Sequence, residues 1–597
     1  MTTTVVGPTR RAARTPRPGR LHRRLVTFLA VFAVVIVAIA GRVAWMQTGE
    51  SADYVAYGAK QRRFDQVLPA SRGTIFDRNG VELAISVPQT TIWGDPRLMD
   101  DPEGVLNGLA SVLGFDAAKV KQLASQFTST SEFVYIKRQV DDEVAQHVRD
   151  LKLKGIYFLT EPRRFAPAGD SARSLIGATD LDGKGTAGLE LQFDSVLSGT
   201  PGELVRERDR NGNSIVNGMN HTRPATPGQD VVLTIDRRLQ YIVEQKLHEQ
   251  VNETKARGGM VVVIDTKSGE VLAMASERRD PTSRDVVVTS ANLAVVDSYE
   301  PGSVAKIIAA SGALEEGTTD MTKKWDVPPS LKVYDATIND DEPHGNLSLT
   351  VPQIIAQSSN IGTVLLARSI GTSKLEQYFR AFGFGSKSGL GFPGEADGLL
   401  PPSSRWSGTQ KATVAYGQGI GVTAIQMTAA MNTIANGGVY ITPRLVRSTL
   451  DQAGQEHVEA PSATHTAISP ATAAQMTEVL RGVVCVGTAR TTAKIPGYEV
   501  AGKTGTAYKA QPSYPGQKDG YLDKNGHRHY YASFTGFVPA DDPQITVLVS
   551  IDEPDASGEL RYGRTAAAPL FTEVASEALR AMKIPPRIEG TGCATKP

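Results

Sequence analysis

Cysteine is scarce, with two in 597 residues, which excludes a fold held together by a disulfide framework. Zinc-ligand spacing, an EF-hand and a phosphate loop are all missing, and so are internal repeats. His527 and His529 stand two apart in a long polar segment without a third ligand in sight, so they read as surface residues. No metal and no cofactor is expected.

What remains is ordinary globular composition, 40% hydrophobic and 21% charged, on a chain long enough for more than one domain. The net charge of +1 hides a basic N-terminus: the first 24 residues hold seven arginines and no acid. Directly behind them Leu25 to Ala40 is apolar except for Thr27, and the run resumes at Val43-Ala-Trp-Met46. About 22 residues suffice to cross ~30 Å of hydrocarbon. Arginines on one flank and Trp45 at the other fit a membrane anchor with its N-terminus in the cytoplasm. The rival reading is a cleaved signal peptide, with Ala38-Ile-Ala40 as its cleavage site. Exposure to an oxidising compartment would permit a bridge between Cys485 and Cys593, but sequence leaves open whether they approach. Cys485 is expected to be covered and Cys593 exposed.

Three short motifs carry the chemistry. Ser303-Val-Ala-Lys306 follows the turn signal Glu300-Pro-Gly and opens an Ala-rich apolar run, so Ser303 is placed in the first turn of a buried helix. Lys306, three residues on, shares its face. A poorly solvated lysine there loses basicity and can accept the serine proton. Ser358-Ser-Asn360 offers a hydroxyl and an amide for proton relay and substrate positioning. Lys503-Thr-Gly-Thr506 lies in an alternating, β-branched segment read as an edge strand, where Lys503, Thr504, Gly505 and Thr506 would grip a carboxylate. Each match alone is weak; the order makes a serine acyl-transfer site.

Around these motifs, Val231–Ile235 reads as a strand, Asp236 as the N-cap of a helix to about Lys255, and 260–265 with 270–275 as a hairpin. Late strands are expected at 498–507, 531–538 and 544–551, with 508–530 a long loop beside the third motif.

The chain resembles a class B penicillin-binding protein, a peptidoglycan D,D-transpeptidase. Ser71-Arg-Gly-Thr-Ile-Phe-Asp-Arg-Asn-Gly80 resembles its signature at the start of the periplasmic region, and Arg164-Phe-Ala-Pro-Ala-Gly169, Gly185-Thr-Ala-Gly-Leu-Glu190 and Leu197-Ser-Gly-Thr-Pro-Gly202 resemble its pedestal motifs. Tyr416-Gly-Gln-Gly419 and Ser533-Phe-Thr-Gly-Phe-Val-Pro539 resemble its catalytic domain, and 496–507 is most similar to the division-specific FtsI type. The resemblance implies an α+β penicillin-binding/serine-transpeptidase fold, a central antiparallel sheet flanked by helices, with an elongated α+β pedestal and one transmembrane helix. The expected segments are a basic cytoplasmic tail at 1–24, an anchor at 25–46, a linker at 47–66, a pedestal at 67–226, a catalytic domain at 227–585 and a tail at 586–597.

By the same resemblance Ser303 is the nucleophile, Lys306 its base, Ser358 a proton relay, Asn360 a positioning group for the donor peptide and Lys306, and Lys503, Thr504, Gly505 and Thr506 the substrate clamp. Backbone N–H groups of Ser303 and Thr506 would form the oxyanion hole. Implied partners are peptidoglycan stem peptides, β-lactams as covalent inhibitors, an FtsW-type glycan polymerase and divisome membrane proteins; nucleic acid is not among them. The competing readings are an elongation-type transpeptidase, a D,D-carboxypeptidase or β-lactamase-like hydrolase, and a β-lactam sensor or divisome scaffold without turnover. Glu376 and Glu395 lie between the second and third motifs, but neither has the Glu-x-x-Leu-Asn context of a deacylating glutamate.

Overall fold

The computed structural model describes residues 18–49, 63–207, 220–517 and 519–587, Cys593, and scattered residues at 2–7, 52–58 and 209–218. Contacts divide the chain into two bodies, one of Met1–Leu68 with Gly202–Pro224 and one of Pro69–Pro201 with Ala225–Pro597.

In the first body a helix runs from Pro18 to Thr48. Its Leu21–Thr48 part, 28 residues, is long and apolar enough to cross a membrane. Where a linker is expected up to residue 66, a strand already begins at Arg63. Arg63–Leu68 pairs antiparallel with Gly202–Glu207, which pairs in turn with Asn220–Arg223. Its partner lies more than a hundred residues away, so no local pattern announces it.

The second body holds both the pedestal sequence and the catalytic motifs. Glu82–Gly94 is the spine of the pedestal sheet, antiparallel to Ile156–Phe165 and to Val134–Val140. The helices Pro102–Leu113, Ala117–Phe127 and Asp142–Asp150 close over it around Ile92, Leu109, Leu123, Phe127 and Val148. Ile75–Phe76 pairs in parallel with Asp230–Leu233, so the expected boundary near 226 falls within one continuous sheet.

The pedestal motifs, far apart in sequence, meet at one buried arginine. Arg72 donates to Glu190 at 2.5 Å, to Asp194 at 2.6 Å and to the Ser198 hydroxyl at 2.9 Å. Arg164 reaches the other oxygen of Glu190 at 2.6 Å and the Gly73 carbonyl at 2.8 Å. Glu190 is 1% exposed, so its charge is tolerated only because two guanidinium groups fork onto it.

The catalytic sheet has six strands: β1 (Gly258–Asp265), β2 (Val271–Arg279), β3 (Val286–Val288), β4 (Ala501–Tyr508), β5 (Tyr530–Val538) and β6 (Ile545–Asp552). Their order is β3-β2-β1-β6-β5-β4, with β4 at an edge. Every residue of β6 is buried, which requires cover on both faces. Helix α1 (Arg237–Glu253) starts at Asp236, whose carboxylate accepts from the Leu239 N–H. It is followed by α2 (Lys306–Glu315), α3 (Asn360–Ile370), α4 (Ala424–Ala435), α5 (Pro470–Cys485) and α6 (Ala568–Ala581). Helices α1 and α6 pack together on the sheet, while α4 lies against β1, β5 and β6. Asn432 of α4 accepts from the Thr546 hydroxyl at 2.7 Å.

Cys485 and Cys593 form a disulfide with Cα atoms 5.2 Å apart. Both are half-buried, so the second is less exposed than the sequence suggests.

Replacing Arg72 by Ala strands Glu190 in the interior. The expected loss is about 3–5 kcal/mol of stability, read from chemical unfolding of the full-length protein in detergent. Arg72→Lys should recover only part of it, because one ammonium cannot serve Glu190 and Asp194 in the fork geometry.

Candidate active site

Ser303 sits in a 3₁₀ turn, Gly302–Ala305, that runs directly into α2. In such a turn residues three apart eclipse one another, which stacks Ser303 and Lys306 on one side. The turn is pressed against the edge strand and a glycine loop. Gly302 N–H donates to the Gly417 carbonyl at 3.1 Å. A Cβ on Gly417, where φ is +81°, would lie 2.3 Å from the Gly302 oxygen. A Cβ on Gly505 would lie 2.3 Å from the Ser533 hydroxyl. At Gly417 the positive φ and the close backbone require glycine, while at Gly505 a side chain would displace the Ser533 hydroxyl.

Glu300, just before the turn, ties it to two further segments. Its carboxylate accepts from Gly419 N–H at 2.8 Å and from the Tyr521 hydroxyl at 2.9 Å. Tyr521 belongs to the long segment between β4 and β5, so that loop is fastened to the residues ahead of Ser303. Burial raises the Glu300 carboxyl and the Tyr521 phenol above their ordinary values.

Ser358 has φ of +60°, a left-handed conformation that few non-glycine residues adopt. It points both its carbonyl and its hydroxyl at the lysines. Lys306 donates to Ser358 O at 2.5 Å and to Ser358 Oγ at 3.2 Å. Lys503 donates to the same Oγ at 2.9 Å and to Thr504 O at 3.0 Å. Both lysines are fully buried. Loss of solvation brings Lys306 down to about 8, against an opposing pull from Asp341 and Asp340. Lys503 falls well below the usual lysine range, first from burial and then from the Lys306 charge, with Asp341 again opposing.

Asn360 is the first residue of α3, and Ser359 is its N-cap. Asp340 holds this start in place: it accepts from Asn360 N–H at 2.6 Å, Ile361 N–H at 3.0 Å and the Ser359 hydroxyl at 2.6 Å. A carboxylate at a helix N-terminus satisfies orphan donors and favours the dipole. His344 Nε2 lies 3.0 Å from the same carboxylate. The Asn360 amide donates to the Asn339 carbonyl at 2.9 Å, and among the described residues no hydrogen bond joins it to Lys306.

Ser303, Ser358, Thr504 and Thr506 line one cleft of about 490 Å³. Thr504 shares its hydroxyl with Thr488 at 2.8 Å, and Thr506 accepts from Gly563 N–H at 3.2 Å. Among the described residues the Ser303 hydroxyl makes no hydrogen bond; catalytic contacts of this kind often close only around substrate. All eight residues singled out in the sequence gather at this cleft or in the strand and helix ends behind it. Asp340, Glu300 and Tyr521 were missed; Glu300 entered only as part of a turn signal and Tyr521 only as part of the loop 508–530. Glu376 is engaged with Arg380 and Ser403 N–H, Glu395 with Ser388 N–H, and neither lines the cleft.

Among the described residues no group of three or more His, Cys, Asp or Glu side chains is disposed to hold a metal ion.

Comparison with known proteins agrees with this geometry. Residues 259–576 match the penicillin binding protein transpeptidase domain and residues 67–233 the penicillin-binding protein dimerisation domain. The chain is 32% identical to penicillin-binding protein PbpB of Mycolicibacterium smegmatis over 592 residues, covering 93% of this chain and 90% of the relative. It is also 32% identical to peptidoglycan D,D-transpeptidase FtsI of Escherichia coli, covering 97% of both. The structure of penicillin binding protein 3 from Mycobacterium tuberculosis with aztreonam superposes with a TM-score of 0.65 at 29% identity, over 88% of this chain and 100% of that one. With its pedestal, its three-motif cleft and an N-terminal helix long and apolar enough to cross a membrane, the chain belongs to the class B penicillin-binding proteins.

Proposed function

We propose that the protein is a peptidoglycan D,D-transpeptidase that cross-links stem peptides through an acyl-enzyme on Ser303 and is inhibited by β-lactams. The observation that carries this reading is the convergence of two buried lysines on Ser358 Oγ in a cleft that also holds Ser303. Neutral Lys306 takes the Ser303 proton as Oγ attacks the carbonyl of the penultimate D-Ala. The oxyanion forms against the N–H groups of Ser303, at the start of a helical segment, and of Thr506, on the unpaired side of edge strand β4. Such donors supply roughly 3–4 kcal/mol each. Ser358 returns a proton to the departing D-Ala amine. Lys503, Thr504 and Thr506 hold the terminal carboxylate, with Gly505 allowing the strand to lie close. Asn360, positioned by Asp340, faces the donor peptide. An amine of a second stem then displaces Ser303.

The arginine-rich N-terminus supports a cytoplasmic start and an extracytoplasmic catalytic body. The similarity to FtsI and PbpB supports a septal role, with an FtsW-type glycan polymerase and divisome membrane proteins as partners. Hydrolysis is the second reading, because water could replace the amine. The engagement of Glu376 and Glu395 away from the cleft disfavours a β-lactamase.

Full-length protein in detergent should form a stable adduct with a fluorescent penicillin, and Ser303→Ala should form none. An adduct that decays within seconds would indicate a hydrolase, and labelling of Ser303→Ala would refute the nucleophile assignment.

The pH dependence follows from Lys306. Its neutral form gains population as pH rises through about 8. The second-order rate of penicillin acylation should therefore climb from mildly acidic pH and level off above that midpoint. Asp341 opposes the loss of the Lys306 proton, so Asp341→Asn should move the midpoint down by roughly 0.5 unit, measured by stopped-flow labelling across pH.

A further inference from the structure

A second cavity, of about 420 Å³, opens beside strand β3, at the sheet edge opposite β4 and its motif. It shares no lining residue with the three-motif cleft. Tyr241, Glu244 and His248 come from one face of α1, Glu277 from β2, and Asp170 with Ser171 from the segment that follows the pedestal strand Ile156–Phe165. Four of the lining residues are acids, Asp170, Glu244, Glu249 and Glu277. Among the described residues no lysine or arginine lines the cavity.

The four acids are not equivalent. Asp170 and Glu249 stand exposed at the rim, paired with Arg173 and Lys246 at 2.8 Å. Glu244 is buried and fully engaged: it accepts from the Gln240 amide at 2.7 Å, from Ala172 N–H at 2.8 Å and from the Ser171 hydroxyl at 2.7 Å. Glu277 has no such cover. Its side chain is 5% exposed, its Oε2 lies 3.2 Å from Nδ1 of the exposed His248, and among the described residues its Oε1 makes no hydrogen bond. A carboxyl in that position is costly to ionise. Burial, with the Glu244 charge adding to it, pushes Glu277 up to about 8. The fold thus keeps a carboxyl at the bottom of an acidic cavity without supplying the cation that would settle it.

We propose that this cavity is a docking site for the guanidinium of an arginine side chain carried by a partner protein, with Glu277 as its buried counter-ion and the Tyr241 ring as the wall it lies against. Charge complementarity selects the occupant: the exposed Asp170 and Glu249 draw a cation to the mouth, and an alkyl stem carries it from there to Glu277. Guanidinium suits the buried end better than ammonium, because it is less strongly hydrated and stacks on an aromatic face. The occupant touches α1 and residues 170–171 together, two segments that Glu244 already ties to one another. On entry Glu277 gives its proton to solvent, and Oε1 accepts from the guanidinium. Proton and ligand therefore compete, and binding strengthens as pH rises through the Glu277 range. Glu244, His248, Glu249 and Tyr241 of α1 and Asp170 of the facing segment are the other titratable groups in the cavity. Protonation of His248 at low pH acts in the same direction, by placing a rival cation beside Glu277.

The test uses full-length protein in detergent, with Nα-acetyl-arginine methylamide as the probe and its citrulline counterpart as the control, which has the same shape but a neutral urea in place of the guanidinium. Binding is followed by calorimetry in two buffers of different ionisation enthalpy, so that released protons are counted. The arginine probe should bind about tenfold more tightly than the citrulline one, equivalent to ~1.4 kcal/mol. It should release close to one proton at pH 7, and bind about tenfold more tightly at pH 8.5 than at pH 6.5. In Glu277→Gln the preference for arginine and the pH dependence should vanish together, while labelling by fluorescent penicillin is unchanged. Equal binding of the two probes by wild type would overturn the proposal, as would arginine binding that neither releases a proton nor depends on pH, or no binding at all. These wild-type measurements decide the matter even if the variant folds poorly.

Discussion

Two lysines buried against a single serine hydroxyl set the terms for everything else in this cleft. Lys306 and Lys503 reach Ser358 Oγ at 3.2 and 2.9 Å, and in that low-dielectric site both cannot carry full charge. One outcome is a weakened basicity: loss of solvation brings Lys306 down to about 8. Another is that burial and the Lys306 charge together hold Lys503 well below the usual lysine range. Asp341 opposes the fall of both lysines, and Asp340 that of Lys306. Ser358 adopts its uncommon backbone conformation because a carbonyl and a hydroxyl must both face these ammonium groups.

Much of this was legible in the sequence, for a physical reason. The three motifs are local: a turn followed by an apolar run makes a helix, and alternation with β-branched residues makes a strand. The helix capped by Asp236, the hairpin around 266–269 and the late strands all follow from short-range pattern, with ends displaced by a few residues. What escaped is long-range. Nothing in Arg63–Leu68 announces Gly202–Glu207 as its partner, and a linker was expected to run into it. The pairing of Cys485 with Cys593 depends on a tail returning to the end of α5. Asp340 and Tyr521 sit in loops of ordinary polarity, and only their positions against Asn360 and Glu300 give them meaning.

The pedestal teaches the same lesson from the other side. Arg72, Arg164 and Glu190 were each seen as part of a family-like motif, yet the reason for their joint presence is a single charge balance. Two guanidinium groups fork onto one buried carboxylate. The buried group that sequence could only flag is, in the fold, the joint between segments more than a hundred residues apart.

The floor beneath Ser303 is built from main chain against main chain, at Gly302 with Gly417 and at Gly505 with Gly563. Such a surface has no side chain to exchange, so selection has nothing there to vary. A lineage under pressure from a cleft-blocking ligand would reshape this site through the side chains around its mouth, in 340–344 and 486–491 and at Tyr562 and Arg564. Resistance and change of substrate must therefore draw on the same few positions, and each is bound to trade against the other.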